Sequence, residues 1–588
     1  MSKSKYYPDE ENALLLVSLL KEHSITHVVA SPGTTNSAFV ASLQRDNYFT
    51  VFSSVDERSA AYLACGMCVE LGKPVVITCT GATASRNYLP GITEAYYRKL
   101  PILAVTGSQV SSKVGHLTAQ VVDRSVQPVD SYVLSVNLSV IKDEDDRFDV
   151  EINVNRALLE LFTPSTGPVH INLETSYTKS FTTEELPSVR KIHRYYSWDE
   201  LPLLEAEKVA IFIGSHIAFS KEETALIERF CEANNAVVFC DHTSGYHGKY
   251  GVNMALVASQ KYYPKTSYRP DLVIHLGEVS GDYPTVGINM SDQGAAIWRV
   301  SPDGELRDTF RKMTNIFQMR ECDFFALYSN KEGVGEMSYY AGCVALDKMA
   351  REQLPEVPFS NIWLASQLVD KIPEESVIHF GILNSLRAWN LFKLNEGVRS
   401  SSNVGGFGID GGMSTLVGAS YASPEKLCFM VIGDLAFFYD MNVLGNRHLG
   451  PNLRIILVNN GRGTEFRNYG HHTSHFGEEA DEFIAAAGHF GNKSKSLAKG
   501  YTEALGLEYR SLEGKSEFKE AFPDSFFCHG ARSILVEAFT DTDEESRALE
   551  QMMNVLVDKK IHGKSSGKEQ LRKMLGQKNI NKLKGILK

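Results

Sequence analysis

The sequence predicts an α/β protein of three doubly wound parallel-sheet domains followed by a basic C-terminal tail. Its 588 residues exceed what one core organises and correspond to about three to four domains of ~150 residues each. Near-continuous apolar runs such as KPVVITCTG, LPILAVTGS and KVAIFIGS alternate with helical stretches and end in Gly or Ser turns. Such runs suit parallel strands buried on both faces. The alternation fades at 182–202 and at 320–358, which divides the chain into domains at 1–182, 203–340 and 358–545, with a tail at 558–588.

In the first domain, 11–23 is an amphipathic helix, and THVVASPG is a strand ending in a Pro-Gly turn. YFTVFSSVDE is strand-like and leads into the helical AAYLACGMCVELG; KPVVITCTG, LPILAVTGS and GPVHINLE complete the set. The charged, proline-containing passage 182–202 reads as a linker. KVAIFIGS, NAVVFCDHTSG, PDLVIHLGEVSG and AAIWRVSP then form a second α/β set, and a helix and loop bridge 320–358. The third set runs from NIWLASQLVDKI through SVIHFGILNS, the Gly-rich VGGFGIDGG and two strands at 427–432 and 453–458, closing near RSILVEAFTD.

With 60 Lys and Arg against 71 Asp and Glu, the net charge of -11 argues against nucleic acid as the main partner. No apolar run reaches the ~18 residues of a membrane span, and MSKSKYYPDEEN lacks a signal-peptide core, so a cytoplasmic protein is expected. Nine cysteines without framework spacing suit a reducing compartment. Cys65 and Cys68 have redox spacing but fall inside a helical pattern, where small buried residues are expected. From Lys559 the tail holds ten Lys and Arg against one Glu; it reads as a solvated tail or as a helix docking on an anionic surface or partner.

Two features carry candidate chemistry. Asp434 and Asn460 follow successive strands, at the ends that face the ligand crevice of an open α/β sheet. Two readings stand: oxygen ligands for a hard cation with a phosphate, or ordinary Gly-Asp and Asn-Asn-Gly turns. Glu57, in SSVDERSAAYLACG, ends a strand and opens a helix of small residues. It is either a buried acid that exchanges protons with a ligand nitrogen or a helix-start carboxylate favoured by the macrodipole.

The ordered set SPG, VDERSAAYLACG, TGATASRNYLPGITEAYYRKLPILAVTG, GIDGGMSTLVGA and GD followed by NN resembles the thiamine-diphosphate-dependent decarboxylase and carboligase superfamily. The resemblance covers nearly the whole chain apart from the tail. It implies a pyrimidine-binding, a central Rossmann-like and a diphosphate-binding domain, with thiamine diphosphate and Mg2+ as cofactors. By position it makes Glu57 the residue that protonates the aminopyrimidine. Ile409 becomes the prop that bends the cofactor, and the carbonyl of Phe407 the acceptor for its amine. Asp434, Asn460 and the backbone oxygen of Arg462 become the metal ligands, with Asn384, Ser385, Leu435 and Ala436 at the cofactor. A 2-oxo acid then loses carbon dioxide with the cofactor as electron sink, and the resulting enamine is passed to a second acceptor. The resemblance further implies a homo-oligomer with active sites between subunits, and no flavin is expected in the central domain.

Within the superfamily, SNVGGFGIDGGMST and GDLAFFYDMN look like the menaquinone-pathway carboligase family. That family grips polycarboxylates with arginines, whose planar fork suits carboxylates. At the corresponding places this chain has Thr34-Thr35-Asn36-Ser37, Val404 and Trp389, so a different acceptor, such as a single acid, sugar or aldehyde, is expected. His116 and Gln120 are the candidate catalytic side chains above the cofactor, His471 and His472 lie on a loop beyond the diphosphate motif, and Trp389 with Arg387 are candidate pocket walls. Simple decarboxylation is the alternative reaction, and a non-catalytic binding protein on the same fold is the alternative of another class.

Overall fold

A computed structural model describes residues 6–261, 268–289, 295–330, 337–489 and 494–556. The basic tail lies outside the described residues. The architecture is α/β, and among the described residues the strands form three sheets that pair in parallel. The chain forms two compact units, Met1–Asp199 with Asp303–Gln318, and Glu200–Pro302 with Met319–Lys588.

The first unit is built on a six-stranded sheet. Its order is Thr50–Ser53, His27–Ala30, Val75–Thr80, Ile102–Ser108, Val169–Glu174 and Leu134–Leu138. The inner strands are buried on both faces, which explains why they read as unbroken apolar runs. Leu134–Leu138 escapes that pattern because it is an edge strand with alternating burial, carrying Ser135 and Asn137 between its apolar residues. The expected linker at 182–202 needs correcting as well: it contains a strand, His193–Tyr196, which pairs in parallel with Met313–Gln318.

Helix Glu57–Leu71 begins where the Asp56 side chain accepts from the Arg58 N–H, and ends at Gly72 in the left-handed region at φ 61°. Its buried face of Ala60, Ala61, Ala64, Cys65 and Cys68 packs on helix Leu89–Arg98. Cys65 and Cys68 are packing residues, as the helical pattern suggests. Burial pushes their thiols up to about 11 and about 12, so neither is a reactive thiolate at neutral pH.

In the second unit, one set of strands runs Gly251–Val252, Ala236–Phe239, Val209–Ile213, Leu272–Leu276 and Ala296–Val300. The other sheet runs Arg399–Ser402, Val377–Phe380, Cys428–Gly433, Leu453–Asn459, Ile534–Phe539 and Glu508–Leu512. The stretch 320–358 carries two helices, Glu321–Tyr328 and Ser338–Glu352. Among the described residues no helix is long and apolar enough to cross a membrane.

The helix carrying Glu57 sits where it does because Gly91 lets the neighbouring helix approach. A Cβ on Gly91 would lie 2.6 Å from the Ala61 Cβ and 3.1 Å from backbone. Gly91→Ala is therefore expected to lower stability by about 1–3 kcal/mol through overpacking. Gly66→Ala, on helix Glu57–Leu71 with nothing within 4 Å, should leave stability unchanged or slightly raised. Thermal melting of both variants checks the contrast; equal losses would mean the close approach is not what Gly91 serves.

Candidate active site

The geometry at Asp434 begins with strand register. Strands Cys428–Gly433 and Leu453–Asn459 are neighbours, with Gly433 opposite Val458. Asp434 and the Asn459-Asn460 pair therefore leave the same edge of the sheet side by side. The Asp434 carboxylate accepts from the N–H of Leu435 and of Gly461, each at 2.7 Å. Gly461 can turn its N–H inward because it lies at φ +80°, a conformation that favours glycine. Burial is the largest influence on Asp434 and pushes its carboxyl up to about 6, against the backbone N–H bonds that favour the ionised form.

The two asparagines divide their work. Asn459 donates to Glu537 Oε1 at 2.8 Å and accepts from the Gly461 N–H at 3.2 Å. The Oδ1 of Asn460 is buried and has no hydrogen-bond partner. A buried oxygen without a donor is costly unless a ligand completes it. The Arg462 side chain turns away to Asp481 at 2.5 Å. Carboxylate, carboxamide and backbone oxygen form the donor set a hard divalent cation takes, so the residues fit a magnesium ion.

The same unit carries the other candidates for holding the cofactor. Ser385 is buried in helix Asn384–Asn390, which follows Leu383 at φ 68°. Asn384 accepts from Asn468 Nδ2 at 2.9 Å through its side chain, and its carbonyl from Asn361 at 3.3 Å. Leu435 and Ala436 occupy the first turn of helix Asp434–Asp440. Phe407 adopts φ 55° in the Gly-rich loop, and Ile409 is half-exposed there despite its apolar side chain.

A cavity of about 480 Å³ in this unit is lined by Asn384, Arg387, Asp282, Tyr283, Glu465 and His471, among others. It adjoins the Gly-rich loop, since the Tyr283 and Phe407 rings lie 5.8 Å apart. Arg387 faces the cavity but is paired with Glu465 and lies over the Tyr283 ring at 5.1 Å. Trp389 corrects an expectation: it is fully buried against Phe380, so the aromatic wall is Tyr283 and Tyr469 instead. His471 lines the cavity, its pKa lowered first by burial, whereas His472 is exposed. Asp282, Glu465 and Glu545 went unrecognised in the sequence, since isolated acids in turns and helices carry no spacing signal.

In the first unit, Glu57 is half-buried and its Oε2 accepts from Asn87 Nδ2 at 3.1 Å. This chain alone thus leaves the carboxylate more accessible than the small-residue helix suggests. Gln120 is exposed at φ 60° and lines a second cavity, of about 460 Å³, together with Gln109, Arg124 and Asn172. His116 is exposed and is not among the residues lining that cavity. Of the places lacking arginine, Val404 and Trp389 are buried, as are Thr35, which donates to the Gly107 carbonyl at 2.7 Å, and Asn36, whereas Thr34 and Ser37 are exposed.

Two buried acids of the first cavity make stability depend on pH. Burial pushes Glu545 from 4.5 and Asp282 from 3.8 up to about 7 each, with Asp241 adding to the effect on Asp282. The stability they leave intact at acid pH is lost as pH rises through about 7, because ionisation is easier in the unfolded chain. The melting temperature should fall between about pH 4 and pH 7 and level off above, and Glu545→Gln should remove its share, on the order of 3 kcal/mol. An unchanged pH profile in that variant would show that Glu545 is not held protonated.

Comparison with known proteins agrees with this geometry. Residues 12–127 match the family model for the thiamine pyrophosphate enzyme N-terminal TPP binding domain. A 2-succinyl-5-enolpyruvyl-6-hydroxy-3-cyclohexene-1-carboxylate synthase of Bacteroides thetaiotaomicron is 30% identical over 580 residues, 94% of this chain and 100% of that protein. The Bacteroides fragilis synthase of the same name is 30% identical over 582 residues, with the same coverage. That of Flavobacterium psychrophilum is 26% identical over 558 residues, 91% of this chain and 97% of the relative. With the Asp434 and Asn460 motif in place and the match running through all three sheets, this chain belongs to the thiamine-diphosphate-dependent enzyme family that includes these synthases.

Proposed function

We propose that this chain is a thiamine-diphosphate- and magnesium-dependent carboligase, decarboxylating a 2-oxo acid and passing the retained carbonyl carbon to a second acceptor. The observation that carries the reading is the buried, unpartnered Oδ1 of Asn460 beside the Asp434 carboxylate. Asp434, Asn460 and the Arg462 backbone oxygen would hold the magnesium ion. Asn384, Ser385, Leu435 and Ala436 would hold the diphosphate, with Phe407 and Ile409 at the ring. When bound, the cofactor supplies the electron sink for loss of carbon dioxide. Glu57 keeps Oε2 on Asn87 and so leaves Oε1 to exchange a proton with the ring nitrogen. Gln120 and His116 serve the reacting substrate.

The absence of arginine at 34–37, 404 and 389 disfavours the polycarboxylate reaction that the relatives' names imply. A homo-oligomer in which Glu57 serves cofactor held by a second copy accounts for its partial exposure here. Val55, Tyr62, Leu63 and Tyr97, on and beside the Glu57 helix, are large apolar residues left exposed. All nine cysteines are free, which supports a cytoplasmic enzyme.

The test is incubation with magnesium, thiamine diphosphate and a panel of 2-oxo acids, with and without aldehydes, following carbon dioxide and new carbon–carbon bonds. Carbon dioxide without ligated product would leave simple decarboxylation; no turnover of any acid would overturn the reading. Asp434→Asn should raise the melting temperature of the ligand-free protein by removing a buried charge, yet abolish the stabilisation by magnesium with cofactor.

Glu57→Gln and Asp434→Asn should each be inactive. Unfolded and refolded together they should regain about a quarter of wild-type activity, as a two-fold assembly with shared sites requires. No recovery on mixing would place both residues in one chain's site.

A further inference from the structure

The second cavity holds a cation that the sequence reading passed over. Arg124, four residues beyond Gln120, donates through one terminal nitrogen to Thr106 Oγ1 and through the other to Asn172 Oδ1. Those acceptors stand opposite each other on adjacent strands, with Thr106 in register with Asn172 and Asn172 in register with Asn137. All the partners are neutral. Among the described residues no carboxylate forms an ion pair with Arg124.

Burial is the largest influence on Arg124 and lowers its pKa to about 10, which still leaves it charged at neutral pH. Holding a desolvated guanidinium without an anion costs free energy that a bound anion offsets. Asp123, the acid lining the cavity, is exposed and spends its Oδ1 on the Ser125 N–H at 2.9 Å and hydroxyl at 2.7 Å.

Gly81 makes room for the group. A Cβ there would lie 2.8 Å from one Arg124 terminal nitrogen and 3.1 Å from its Cζ. Neutral hydrogen-bonding side chains, Ser108, Gln109, Gln120 and Asn137, share the rest of the cavity with four valines. The wall is thus one cation among amides, hydroxyls and valines, at the C-terminal ends of parallel strands where α/β sheets bind ligands.

We propose that Arg124 is the carboxylate receptor of this enzyme, gripping the carboxylate of the 2-oxo acid substrate in the cavity beside Gln120. This rests on the 2-oxo acid reading above. Two of the five N–H donors of Arg124 go to Thr106 and Asn172, which leaves three for a planar carboxylate, with Gln109 and Gln120 as further donors. It supplies the recognition that the positions at 34–37, 404 and 389 do not, from a different place in the fold.

The experiment is steady-state kinetics of the holoenzyme with Arg124→Gln and Arg124→Lys, alongside calorimetric titration of pyruvate and 2-oxoglutarate into the cofactor-free protein. Loss of one partner of a charged hydrogen-bonded pair costs about 2–5 kcal/mol, so KM for the 2-oxo acid should rise roughly 30-fold or more in Arg124→Gln with kcat largely kept. Arg124→Lys, which keeps the charge but not the fork, should fall between that variant and wild type. Should the glutamine variant not fold, the lysine variant decides, with a KM rise of about fivefold or more expected.

A KM unchanged in a folded variant would overturn Arg124 while leaving the enzyme reading intact. If wild type turns over no 2-oxo acid, calorimetry decides. Binding lost in the Arg124 variants upholds the receptor and removes the proposed reaction; binding that is unaffected, or absent from wild type, overturns the receptor.

Discussion

The pairing of Gly433 with Val458 is the constraint on which the candidate site depends. In a parallel sheet the side-chain period is two, and a shift of one residue sends each side chain to the opposite face. At this register the backbone leaves both strands at one edge, Gly461 turns its N–H onto Asp434, and Asn460 is left with a buried oxygen and no donor. The strands themselves have no freedom to slip. Every residue of Leu453–Asn459 is buried, and the sheet extends on both sides of it, to Cys428–Gly433 and to Ile534–Phe539.

Holding carboxyls in such a place has a free-energy cost that other elements of the fold offset. Asp434, Asp282 and Glu545 all sit where burial raises their pKa. Neighbouring backbone N–H groups offset part of that cost, from Leu435 and Gly461 to Asp434 and from Asn361 to Glu545. The apolar strands on either side supply the stability from which the rest is drawn. Asp282 and Glu545 line one cavity, and buried acids with raised pKa values in a cleft mark a candidate ligand site. Arg124 in the first unit obeys the same logic with the opposite sign of charge.

The fold was legible in the sequence wherever strands are buried on both faces, because continuous apolar runs follow directly from that burial. It was not legible at edges. Leu134–Leu138 alternates with Ser135 and Asn137, and His193–Tyr196 is a partly exposed strand inside a charged passage, so neither looks like its neighbours. The candidate cofactor motif was legible because Asp434, Asn460 and the Gly-rich loop are local, at fixed distances from their strands. The cavity walls were not. Trp389 was expected to face a ligand and instead packs against Phe380, while Tyr283 comes from a part of the chain about a hundred residues away.

The sequence by itself determined the alternation of helix and strand, the order of the motifs and the oxygen donors Asp434 and Asn460. These depend on periodicity and on turn chemistry, which act over a few residues. Only the tertiary structure decided which asparagine oxygen is spare, which acids are buried, and that Arg124 reaches Thr106 and Asn172 with no carboxylate to meet it. Desolvation and pairing are properties of what surrounds a group in space. A residue's neighbours along the chain do not specify them.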